Sequence, residues 1–228
     1  MLIVVQNDPE VPCGAWGERL RRLRVPFRIV RPAGEALPRP GEFSAAIVLG
    51  GAMGVHDTDR HPFLLPLKRW IGETVARQTP FLGICLGGQL LADVLGARIH
   101  SPSVHGERGT LSATLTPAGE VDPLFAGVPR EFVTFQWHND AFELPQGAQR
   151  LAFSGACPNQ AFRFGAAAWG TQFHPEVDRE IVGLWARWST ETAPRVDAFL
   201  AAFEQEEGGY RESSDRLLAN FLRNSCLV

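Results

Sequence analysis

The chain lacks several features that would have directed its reading elsewhere. It has no excess of basic residues: over 228 residues the net charge is −3 and the pI is near 6.1. A polyanion-binding surface, and with it nucleic acid as a partner, is not expected. No apolar run reaches the roughly 18 residues that a membrane helix needs. The opening MLIVVQNDPE has no basic leader and reads as a buried first strand, not as a targeting segment. The four cysteines, Cys13, Cys85, Cys157 and Cys226, form no C-x-x-C pair. Neither a disulfide framework nor a thiolate metal cluster is therefore expected, and a cytoplasmic location is the default expectation. Internal repeats and low-complexity tracts are also missing.

What remains is an ordinary globular balance, 45% hydrophobic and 21% charged. Its first half alternates short apolar runs with amphipathic stretches. Strands are predicted at Leu2 to Val5, Phe27 to Val30, Ala45 to Leu49 and Phe81 to Ile84. Helices are predicted at Ala15 to Leu23, Pro66 to Gln78 and Leu86 to Leu95. This rhythm predicts an α/β fold, a mostly parallel sheet with helices on both faces. The second half predicts short strands at 110–115, 131–135, 150–153, 161–164 and 167–173, read as an antiparallel addition. Helices follow at 179–189 and about 193–206. A break at Gly208-Gly209 and a last helix over 213–222, capped by Ser213, complete the chain. Pro32 to Pro40, with three prolines, reads as an exposed connector. The expectation is one domain over 1–228 with a C-terminal helical extension at about 207–226.

The chemistry concentrates in two segments. Gly83-Ile84-Cys85-Leu86-Gly87-Gly88-Gln89 lies where an apolar strand meets a helix, the thiol counterpart of the G-x-S-x-G elbow. Flanking glycines permit a sharp turn, and the helix N-terminus offers free N–H groups, that of Leu86 among them, to a thiolate or an oxyanion. A nucleophile needs a base, and the base an orienting group. Of six histidines, His174 in Gln172-Phe173-His174-Pro175-Glu176 follows an apolar strand, and Glu176 can return its carboxylate to the imidazole. Cys85, His174 and Glu176 are the candidate catalytic residues of a cysteine-dependent amide hydrolase.

These segments, together with Leu49-Gly50-Gly51-Ala52-Met53, resemble the class I glutamine amidotransferases, the thiol glutaminase domain also found in GMP synthase, anthranilate synthase and carbamoyl phosphate synthetase. The resemblance spans about residues 1 to 200 and is nearest to the stand-alone, GMP synthase-like branch that includes γ-glutamyl hydrolases. It implies a flavodoxin-like three-layer fold and an oxyanion hole formed by the N–H groups of Gly51 and Leu86. It further implies substrate contacts at Gln89 and around His138, Asn139 and Asp140, and no cofactor or metal. The implied substrate is glutamine or a γ-glutamyl amide, hydrolysed through a γ-glutamyl thioester. A separate synthetase receiving ammonia, or an amine-metabolising partner, is the alternative setting. A non-catalytic binding module is the alternative from another class. Two departures stand out: Ala52 replaces the usual proline of Gly-Gly-Pro, which predicts a looser loop, and Gly88 stands where a histidine or another bulky residue is common.

Outside these blocks, His56 to His61 is rich in potential ligands and is expected to border the pocket as a solvated loop. His105 to Arg108 is expected to be an exposed loop. Trp70, Trp185 and Trp188 are expected to pack in the core, whereas Trp137 adjoins the pocket segment. Cys13 and Cys157 could approach the site, although nothing in the sequence requires it.

Overall fold

In the first strand, β1 (Leu2–Val5), all four residues are apolar and buried, as a strand covered on both faces requires. The computed structural model describes residues 1–228. After β1 the chain runs through α1 (Gly14–Arg22), β2 (Phe27–Val30), β3 (Ala45–Val48), α2 (Leu64–Ala76), β4 (Phe81–Ile84) and α3 (Leu86–Val94). It continues through β5 (Ile99–His100), β6 (Glu107–Leu115), α4 (Pro117–Glu120), β7 (Glu131–His138), β8 (Ala141–Phe142), β9 (Gln149–Phe153), β10 (Ala161–Phe164) and β11 (Ala168–Thr171). It ends with α5 (Arg179–Ala186) and α6 (Val196–Asn224).

Nine strands form one sheet in the order β2-β1-β3-β4-β11-β10-β9-β6-β7. The first five are parallel, and from β11 onward each strand pairs antiparallel to its neighbour. The last predicted strand, 167–173, is thus not part of an antiparallel addition: as β11 it pairs parallel with β4 inside the main sheet. The antiparallel strands lengthen that sheet, and only β5 and β8 form a separate two-stranded ladder. Side chains alternate across the pleat. Leu2 and Val4 pack with Trp16 and Leu20 of α1 and with Leu217, Phe221 and Leu222 of α6. Ile3 and Val5 pack with Leu67 and Ile71 of α2 and with Leu90 and Leu91 of α3 on the other face. The result is the three-layer α/β arrangement that the sequence predicts.

The C-terminal end departs from expectation. Gly208 and Gly209 do not break the chain; α6 is one helix of 29 residues, about 44 Å long at 1.5 Å per residue. Phe203 and Tyr210 bury on either side of the glycines, in a cluster with Phe135, Ile181 and Trp185. Tertiary packing thereby outweighs the weak helical preference of glycine. Ser213 is accordingly not a cap but a buried residue inside this helix. Residues 207–224 are not an appendage, since the last turns of α6 belong to the main core.

Candidate active site

In a parallel sheet of this order, ligands bind beyond the C-terminal ends of the strands, where the strand order reverses. A cavity of about 590 Å³ lies there. Val11 beyond β1, Gly51 to Asp57 beyond β3, Cys85 and Gln89 beyond β4, and His174 beyond β11 all line it.

Cys85 sits at the turn from β4 into α3 with φ 50° and ψ −108°, a left-handed conformation that a non-glycine residue adopts only under constraint. The constraint is visible in the neighbours. The Cys85 N–H donates to the Thr171 carbonyl at 2.8 Å, and its own carbonyl accepts from Gln89 N–H at 2.9 Å. The glycines around it are required by close approach. A Cβ on Gly83 would lie 2.3 Å from the Gly87 carbonyl oxygen, and one on Gly87 would lie 2.0 Å from that of Val48. A Cβ on Gly88 would lie 2.6 Å from the Thr171 carbonyl oxygen. The bulky residue common at that position elsewhere therefore has no space here.

His174 follows β11, and its N–H donates to the Phe135 carbonyl at 2.8 Å. Its Nδ1 lies 2.8 Å from Glu176 Oε1, and both side chains are almost fully buried. The ring meets Trp185 edge-on, with centroids 4.7 Å apart. A Cβ added to Gly50 would lie 3.0 Å from His174 Cε1 and 3.6 Å from Cys85 Cβ, so thiol and imidazole flank the same glycine. Burial pulls the His174 pKa down, but the Glu176 carboxylate, and after it Cys85, outweigh that and push it up to about 10. A cationic imidazole beside a thiol is the pairing that activates cysteine nucleophiles.

The other predicted residues divide. Gln89 is buried and its amide donates to Gln172 Oε1 at 3.2 Å and to the Asp140 carbonyl at 3.4 Å. Gly51, His138, Asn139 and Asp140 all line the cavity. Leu86 is the first residue of α3, a position whose N–H has no partner within the helix. The Asp140 carboxyl is held above its ordinary pKa, chiefly by burial and secondarily by the nearby Asp57. His56, Asp57 and Arg60 border the cavity as expected. In the Gly51-Ala52 loop, the Ala52 N–H donates to Asp8 Oδ2 at 3.1 Å, a bond no proline could make. Asn7 Nδ2 donates to the Leu49 carbonyl at 2.7 Å. The loop is thus tied down by residues just beyond β1 rather than loosened.

Other expectations change. Glu107 is not in an exposed loop but is buried at the start of β6, while the neighbouring Arg108 lines the cavity. Trp185 is buried, yet it contributes to the cavity wall as well as the core; Trp188 lines the cavity too. Trp137 stacks on Phe135 at 5.9 Å and faces the cavity. Cys13 and Cys157 are buried outside the cavity wall.

Sequence reasoning missed three supports of the His-Pro-Glu turn and its thiol. Tyr210 Oη lies 3.2 Å from the His174 carbonyl oxygen and 3.1 Å from that of Val177, so its one hydrogen is shared between them. Ser214 Oγ donates to the Pro175 carbonyl and accepts from Trp16 Nε1 at 2.9 Å. Gln172 Nε2 reaches Cys85 Sγ at 3.7 Å. The first two supports come from α6 and leave no local signal in the sequence.

An elbow cysteine, a carboxylate-held histidine and a glycine loop thus share one cavity. The sequence profile described as "Glutamine amidotransferase class-I" matches residues 17–182. The chain belongs to the class I glutamine amidotransferase family. It is 36% identical over 154 residues to a glutamine amidotransferase-like protein, YfeJ, of Salmonella typhimurium, covering 66% of this chain and 64% of that one. It is 40% identical over 107 residues to a subunit of the glutamine-hydrolysing GMP synthase of Archaeoglobus fulgidus, covering 46% of this chain and 56% of that one. These matches span less than two thirds of each relative. A glutamine amidotransferase structure from Thermotoga maritima superposes with a TM-score of 0.87 at 30% identity, covering 98% of this chain and 97% of that one. Class I glutamine amidotransferase membership implies a cysteine-dependent amidohydrolase. No helix of this family member is long and apolar enough to cross a membrane.

Proposed function

We propose that the chain hydrolyses the γ-glutamyl amide bond of glutamine or of a γ-glutamyl amide, using Cys85 as nucleophile, His174 as acid and base, and Glu176 to hold the imidazole. The reading rests on one observation: a strained thiol at the N-terminus of α3 shares Gly50 as neighbour with an imidazole whose proton is held by a buried carboxylate. The Cys85 thiolate attacks the amide carbon, and the charge developing on its oxygen meets the N–H groups of Leu86 and Gly51. His174 gives its proton to the departing nitrogen as the C–N bond breaks. It then takes a proton from water, whose oxygen attacks the γ-glutamyl thioester and returns the thiolate. Gln89 and the backbone of His138 to Asp140 hold the glutamyl group. Residues 1–228 act in this reading as one domain.

The cavity volume is in the range that accommodates drug-sized ligands, which leaves room beyond glutamine for a leaving group larger than ammonia. A second reading, a glutaminase that passes ammonia to a separate synthetase, draws on the likeness to the GMP synthase relative. Glutamate release from glutamine and from a panel of γ-glutamyl amides separates the two. The first reading expects the amides to be cleaved faster by the chain alone, with a γ-glutamyl thioester trapped on Cys85. Turnover of glutamine only, and only with an added synthetase, would favour the second. Full activity in Cys85→Ala would defeat both.

A further inference from the structure

Behind the Trp137 to Asp140 wall of the cavity, three separate segments converge on one buried point. Glu107 opens β6, His138 closes β7, and Cys157 lies between β9 and β10. A carboxylate oxygen, an imidazole nitrogen and the thiol sulfur all lie within 4.8 Å of one another. Cys157 is fully buried, and the side chains of His138 and Glu107 are 1% and 8% exposed.

The tautomer of His138 is set by its neighbours. Nδ1 lies 2.9 Å from the Asp140 carbonyl oxygen, which can only accept, so Nδ1 carries the hydrogen. Nε2 then points at Glu107 Oε2 from 3.7 Å, beyond hydrogen-bond range, and this buried atom has no partner. An imidazole that donates one N–H to a backbone carbonyl and aims its other nitrogen at a carboxylate and a thiol has the pose of a metal ligand. Glu107 is oriented in turn by the Ser154 hydroxyl and the Gln160 amide, as metal-binding carboxylates commonly are.

We propose that Glu107, His138 and Cys157 bind a divalent, borderline-soft cation of the zinc type. A point equidistant from three atoms so spaced lies within about 2.8 Å of each, so zinc bond lengths of about 2.0–2.3 Å need only small side-chain shifts. On binding, the Cys157 S–H, now directed at the Asn159 carbonyl at 3.6 Å, gives up its proton to solvent and the sulfur ligates as thiolate. The two anionic ligands then balance the dication, which neutralises a carboxylate otherwise buried among neutral donors. The ion is structural: it ties β6, β7 and the β9–β10 connection together behind Asn139 and Asp140.

The test uses the full chain carrying Cys85→Ala, which removes the cavity thiol as a competing ligand. After chelator treatment it is titrated with Co²⁺ and then Zn²⁺. One equivalent of Co²⁺ should give thiolate-to-cobalt charge-transfer absorption, lost when Zn²⁺ displaces it and absent when Cys157→Ser is added. Absorption that persists in that double variant, or none at excess Co²⁺, would overturn the proposal and leave a bare Glu107–His138 pair. Anomalous diffraction from zinc-soaked crystals decides without the second substitution. A peak among the three side chains supports the site, and a peak elsewhere or none rejects it.

Discussion

At the scale of single residues, the active-site geometry makes separable demands. Cys85→Ala should abolish turnover and leave the thermal midpoint close to that of the parent, because the side chain lost is small. Glu176→Gln keeps the shape but removes the charge that overcomes burial at His174. Turnover should fall about 10⁴-fold, as when other triads lose their carboxylate, and the alkaline limb of the rate profile should move to lower pH. An unmoved limb would show that Glu176 does not hold the proton. The same ion pair has a consequence for stability. Folded His174 titrates near pH 10, above its ordinary 6.5, so the folded chain binds the proton more tightly than the unfolded one. That stabilisation is fully present below about pH 6.5, declines as pH rises, and is lost above about pH 10. Urea midpoints measured from pH 6 to 10.5 should fall for the wild type by more than for His174→Gln. Gly50→Ala tests positioning alone. Its Cβ, 3.0 Å from His174 Cε1, should displace the ring and lower kcat by about 10²-fold, with little change in substrate affinity.

At the scale of elements, what could be read from the sequence was local and what could not was tertiary. The four parallel strands β1 to β4, and α1, α2 and α3, emerge within a residue or two of their predicted bounds, because apolar runs and 3.6-residue periodicity are written in contiguous residues. Cys85 and His174 were legible as partners from their two motifs, but what brings them together was not: 167–173 reads as part of an antiparallel addition, whereas β11 pairs parallel with β4. The two-residue strands β5 and β8 carry no pattern long enough to detect. The burial of Glu107 depends on Ser154 and Gln160, about fifty residues away. The continuity of α6 through Gly208-Gly209 depends on Phe203 and Tyr210 finding Phe135, which no local propensity encodes. That last point is testable. A Cβ on Gly209 would touch Val133 only at an ordinary 3.6 Å, and Gly208 faces open space. Gly208→Ala and Gly209→Ala should each stabilise the protein by about 0.5–1 kcal/mol in chemical denaturation; a loss of stability would mean that the glycines serve a bend.

At the scale of the whole molecule, the sheet changes from parallel to antiparallel at β11, and that strand lies fifth of nine. β4 and β11 pair residue for residue from Phe81–Ala168 to Ile84–Thr171, and one delivers Cys85 while the other delivers His174. Cys85 and His174, the proposed nucleophile and base, are therefore anchored in the innermost rungs of the structure, with sheet on either side. Their amides should exchange with solvent deuterium only when the entire chain opens. Denaturant should consequently erase catalysis and tryptophan fluorescence along one curve, with no inactive but folded plateau before it. A protein built this way has no weak hinge between Cys85 and His174, so any activity that needs both should last as long as the fold does.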